Sequence, residues 1–108
     1  MSEKHIAVAN ILMDLEAAMR DLNLWHQEVP PPQALASDQP FAIDTLTFTQ
    51  WLQFLFIPKM YQLVEQRAAL PEACAIAPMA HEYFRPQVIV ADTVVAELAR
   101  LDRLLSTP

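Results

Sequence analysis

Glycine is absent from this chain of 108 residues. Without it there is no P-loop and no dinucleotide-binding fingerprint, because those backbones approach phosphate at positions only glycine tolerates. The glycine of many hairpin turns is missing too, while the helix formers Ala, Leu, Met, Glu and Gln are plentiful. An all-α fold is expected. Cysteine occurs once, at Cys74, so no intramolecular disulfide can form, and the thiol reads as a small apolar filler. Lys and Arg number seven against thirteen Asp and Glu, for a net charge of −6. Such scattered cations make no patch able to neutralise phosphates, which argues against direct nucleic-acid binding. No window approaches the roughly 18 uncharged apolar residues of a membrane span. The opening MSEKHIAVAN carries acidic and polar residues where a signal peptide needs an uninterrupted apolar core. A cytoplasmic protein with no membrane association is the expectation.

What is present is apolar surface. Hydrophobic residues make up 54% of the chain, and the mean hydropathy of +0.18 is high for a small soluble protein. Part of that surface is expected to be covered by a protein partner or in a homodimer. A chain of this length buries a real core without staples, and a single domain spanning 1–108 is expected.

The segment EKHIAVANILMDLEAAMRDLN repeats apolar residues at Val8, Leu12, Leu15, Met19 and Leu22, one face of a helix. With no glycine to end it, Asn23 is the natural left-handed residue, and Leu24 can pack back on Met19 as in a Schellman motif. The three prolines Pro30, Pro31 and Pro32 then forbid a helix and read as a rigid connector, with room for one short turn around Ala34 to Ser37. Thr47 and Gln50 form a T-x-x-Q capping box, with Leu46 and Trp51 at the staple positions, so a helix starts at Phe48. Pro58 interrupts it and leaves the Phe54 carbonyl without its usual donor. Either the helix kinks there, or a second helix begins with Pro58 in its first turn. A short helix from about Pro78 to Phe84 and a final helix within QVIVADTVVAELARLDRLLS complete a bundle of about four helices. In the last of these, Ala91, Val94, Leu98, Leu101 and Leu105 form the apolar face.

Several residues together carry a resemblance: QPF at Gln39 to Phe41, DT at Asp44 and Thr45, WLQ at Trp51 to Gln53, and IPKM at Ile57 to Met60. LP at Leu70 and Pro71, AP at Ala77 and Pro78, and Trp25 after the first helix belong to the same set. Over nearly the whole chain this resembles the YqcC-like family of small uncharacterised bacterial proteins. The resemblance implies a compact helical bundle with no established catalytic residue, cofactor or metal. Members are often encoded beside a tRNA pseudouridine synthase, which implies a helper of that enzyme as the expected role.

Chemistry by the residues themselves finds little footing. His5, His26 and His81 lie on separate segments without ligand spacing, and no Glu-x-x-His occurs. Neither a bound metal nor a cofactor is expected, and Cys74 with His81 lies in no activating motif. The densest candidate surface lies around the Pro58 interruption, formed by Trp51, Phe54, Leu55, Lys59 and Tyr61, with Asp44 before the helix. Leu52, Phe56, Met60 and Leu63 are expected to face the bundle. Asp44 and Lys59 either hold the local structure, Lys59 through the Phe54 carbonyl or Asp44, or contact a ligand. Two functions are weighed: a non-enzymatic protein that binds another protein, the synthase being the named candidate, and a binder of a small apolar ligand in a gap at Pro58 lined by Trp51, Phe54, Leu55 and Tyr61.

Overall fold

A computed structural model describes residues 3–72, 75–87 and 90–107. Cys74, with Ala73, Val88 and Ile89, lies outside the described residues, so the reading of its thiol is not addressed. Among the described residues there are helices and no strands. They are α1 (Glu3–Asp21), α2 (Pro32–Leu35), α3 (Phe48–Trp51), α4 (Ile57–Glu65), α5 (Ile76–Phe84) and α6 (Asp92–Ser106), with a 3-10 turn at Pro40–Ala42 and a π-helical turn at Leu52–Phe56. The π turn joins α3 to α4 in one continuous rod, so the described residues form four long helical stretches. No helix among the described residues is long and apolar enough to cross a membrane.

α1 packs against both α6 and α4, and α5 packs on α6. The Phe48 ring closes the circle by meeting Tyr83 at 5.5 Å and Phe84 at 6.5 Å. The inner faces are those the periodicity marks: Val8, Leu12, Leu15 and Met19 on one side, Val94, Leu98, Leu101 and Leu105 on another, all buried. The Schellman end of α1 forms as the sequence requires. Asn23 sits at φ 59, its N–H donates to the Arg20 carbonyl, and the Leu24 N–H donates to that of Met19. α4 ends in the same way on Arg67, at φ 53, with Ala68 donating to Leu63. In a chain without glycine, two helices thus stop on left-handed residues that carry a Cβ.

Three details differ from expectation. The short turn begins at Pro32 rather than Ala34, because a proline with no N–H to lose fits the first helical position. α5 begins two residues early, at Ile76. Asp102 of α6 accepts hydrogen bonds from the Ile76 and Ala77 N–H groups at 3.1 and 2.8 Å, and Pro78 has no N–H to satisfy, so a carboxylate on a neighbouring helix supplies the cap.

The third difference concerns Pro58. The helix neither breaks nor restarts: the Ile57 N–H donates to the Leu52 carbonyl five residues back. The wider turn carries the chain past a proline that has no N–H to offer the Phe54 carbonyl. One extra residue therefore enters the register. The buried positions run Leu52, Ile57, Met60 and Val64, while Phe56 and Leu63, expected to face the bundle, are only partly buried.

Candidate functional site

The capping box fixes where α3 starts: Gln50 N–H donates to Thr47 Oγ1 at 3.3 Å, and Thr47 N–H donates to Gln50 Oε1 at 2.9 Å. One turn on, Gln53 is buried and clasps the backbone of the loop after α1. Its Oε1 accepts from His26 N–H at 2.7 Å and its Nε2 donates to the His26 carbonyl at 3.0 Å. The His26 ring nitrogen Nε2 shares a 3.0 Å hydrogen bond with Thr49 Oγ1. These polar groups lie at the core edge and are satisfied within the chain. They fasten the α1–α2 connector to α3.

The loop before α3 is folded less comfortably. Phe41 at φ 58 and Ala42 at φ 48 are consecutive left-handed residues, a conformation costing roughly 1–2 kcal/mol for each residue with a Cβ. The surroundings hold it: Ala42 is buried, its carbonyl accepts from Thr45 and Leu46 N–H, and the Thr45 hydroxyl donates to the Ala34 carbonyl at 2.7 Å. The consequence is the position of Phe41, whose ring meets Trp51 edge-on at 4.7 Å. Trp51 stacks on Phe56 at 5.1 Å and faces Phe48 at 6.0 Å. A continuous row of aromatic rings runs from Phe56 to Phe84.

Beside this row lies an apolar groove of about 320 Å³, between the Phe41–Phe48 loop and α5, lined by Phe41, Ile43, Leu46, Phe48, Met79 and Tyr83. Thr47 and Glu82 complete the lining, and the Glu82 carboxylate pairs with Arg85 at 2.9 Å. Ile43 stands at the rim, 67% exposed. A further depression, of about 390 Å³, is lined by His81, Arg85, Gln87 and Asp92 among others, and mixes charges.

Among the described residues, no ring contact, side-chain hydrogen bond or ion pair joins any two of the six residues singled out in the sequence. Trp51 is half-buried and backs the groove through Phe41 and Phe48. Asp44, exposed next to Ile43, accepts a 2.6 Å hydrogen bond from the Ser37 hydroxyl. Phe54 is partly buried, its ring 6.2 Å from that of His26, and Leu55 is partly buried in the π turn. Tyr61 packs against the core, where burial, and secondarily the Glu16 carboxylate, raises its phenol above the ordinary 10.0. Lys59 is exposed. Among the described residues it joins neither Asp44 nor the Phe54 carbonyl. The π turn carries the helix through Pro58 unbroken. Of the groove residues, sequence reasoning marks Leu46 only as a helix staple and does not mark Ile43, Met79 or Tyr83. QPF was the only nearby signal, and nothing local says that it meets α5. Among the described residues no three His, Asp or Glu side chains gather to hold a metal.

Fold and groove together define a class: a compact all-helical protein with an aromatic-backed apolar concavity. The chain belongs to the YqcC-like family, for the model of DUF446, described as tRNA pseudouridine synthase C, matches residues 7–104. It is 37% identical over 105 residues to the uncharacterised Escherichia coli protein YqcC, covering 94% of each chain. An uncharacterised Haemophilus influenzae protein is 44% identical over 71 residues, 66% of this chain and 67% of that one. The solution NMR structure of E. coli YqcC superposes with a TM-score of 0.83 at 34% identity, over 97% of this chain and 90% of that one. A third relative, from Pectobacterium carotovorum, is called tRNA pseudouridine synthase C; it is 36% identical over 66 residues, 61% of this chain but only 18% of that much longer one.

Proposed function

We propose that this chain is a non-enzymatic accessory protein that binds another protein, and that its partner is a tRNA pseudouridine synthase. The observation carrying this reading is the Pectobacterium relative: a chain named for the synthase contains a stretch 36% identical to this one within a small fraction of its length. Segments that are joined in one polypeptide and separate in another are natural candidates for association. Charge supports the division of labour. An enzyme acting on tRNA must present cations to phosphate, whereas this chain carries −6 and suits the enzyme better than the RNA. Chemistry and RNA contact then belong to the synthase, and this chain acts in the cytoplasm.

The test is direct. Calorimetric titration of the purified chain into the synthase of its own organism, with pseudouridine formation in tRNA measured with and without the chain, is expected to show a stoichiometric complex. No heat at concentrations of tens of micromolar, together with unchanged tRNA modification in a strain lacking the chain, removes the reading.

A further inference from the structure

We propose that the groove between the Phe41–Phe48 loop and α5 receives a short amphipathic helical segment of the partner protein, with apolar anchors on one face and Lys or Arg flanking them. This inference rests on the accessory reading above and says where the partner docks and what it must look like.

Shape and chemistry favour such a segment. The groove is lined by aromatic and aliphatic side chains backed by a rigid row of rings, the surroundings in which one or two buried anchors dominate binding energy. Its floor is held by the buried Phe48, and its rim by Ile43, which in this chain alone is left 67% exposed. The left-handed pair Phe41 and Ala42 holds the loop in a conformation its residues do not favour. Retained strain of this kind at a concave surface pre-organises it for an occupant.

Charge names the flanks. Between Arg20 and Lys59 the chain carries Asp21, Glu28, Asp38 and Asp44, and no Lys or Arg. The charged residues nearest the loop wall along the chain, Asp38 and Asp44, are both acidic and exposed. On the opposite wall the nearest cation, Arg85, is engaged with Glu82. An apolar helix flanked by cations gains there both burial and favourable long-range attraction. A second copy of this chain brings a second acidic wall to the same place, and a neutral apolar small molecule makes no use of the charge.

The experiment compares four proteins in calorimetric titrations against the tRNA pseudouridine synthase of the same organism. They are the native chain, Ile43→Asp at the groove rim, Asp38→Asn with Asp44→Asn on the acidic wall, and Met13→Asp as a control. Met13 is 60% exposed on α1, and Ile43 is equally accessible, so neither change should unfold the bundle; circular dichroism verifies this. Ile43→Asp is expected to weaken binding at least about tenfold, as loss of an interface anchor does. The double asparagine variant should bind more weakly and with a shallower dependence on salt, and Met13→Asp should match the native chain. If the native chain binds and Ile43→Asp binds equally well, the groove is overturned while the accessory reading stands. Loss on Met13→Asp alone, or self-association abolished by Ile43→Asp, also overturns it, by moving the partner to α1 or making the occupant a second copy. If the native chain does not bind at all, both readings fall together.

Discussion

At the scale of single residues, Gln53 joins two parts of the fold that sequence distance keeps apart. A primary amide is the one neutral side chain that offers a donor and an acceptor side by side, and here it pairs with both backbone groups of His26. Replacing it with leucine keeps most of the volume but orphans a partly buried N–H and a partly buried carbonyl. Leaving such groups unpaired costs more than a typical hydrogen bond contributes, so Gln53→Leu should destabilise the protein by about 2 kcal/mol. The exposed Gln62→Leu on α4 serves as control and should stay within about 0.5 kcal/mol of the native protein. Urea unfolding decides: equal midpoints for the two variants mean that water replaces the amide at no cost. No pattern along the chain announces this role. Gln53 sits in an apolar run and is only a polar interruption there, because its partner is a backbone whose position depends on the Asn23 turn.

At the scale of elements, the proline-interrupted helix is where sequence and structure diverge most instructively. The capping box, the start at Phe48, the Schellman end of α1 and the apolar stripes of α1 and α6 are all legible, since each depends on neighbours within a turn. The phase of the helix after Pro58 is not. Residues 51–57 are apolar except for Gln53, so either register buries a greasy face and periodicity cannot choose between them. The groove is illegible for a related reason: it needs α5 beside a loop some forty residues away, and no local pattern encodes that meeting. What selects the π turn is the clash a proline ring makes with the carbonyl four residues back, together with the core positions of Ile57, Met60 and Val64. If that is the cause, the extra residue and the proline must be coupled. Deleting Leu55 removes the extra residue and keeps the later stripe in phase, but it places Pro58 in a regular helix, at a cost of about 3 kcal/mol. Deleting Leu55 in the background of Pro58→Ala should be far milder, and Pro58→Ala alone should shift stability by less than about 1 kcal/mol. Unfolding free energies of the three variants close the cycle, and additive effects would show that proline and π turn are independent.

At the scale of the whole molecule, the proposed association ties an acidic helical bundle, through its apolar groove, to a second protein. If the proposed association is with a tRNA pseudouridine synthase, then the Pectobacterium chain represents the tethered form of an interaction that here is bimolecular. Tethering changes the concentration dependence and not the contacts, because a flexible linker supplies an effective concentration in the millimolar range for short spans. Joining this chain to the synthase through a Gly/Ser linker should therefore leave the properties of the saturated complex unaltered while making them immune to dilution. Thermal stability of the synthase is a suitable readout, since a partner that binds only the folded enzyme stabilises it by about 2.7 kcal/mol at a hundredfold excess over Kd. Separate proteins should lose that gain on dilution below Kd, and the joined protein should keep it. In the joined protein, Ile43→Asp at the groove rim should lower the stabilisation equally at every dilution, and more so with a longer linker that lowers the effective concentration. Equal dilution profiles for joined and separate forms would mean that the two proteins share no surface.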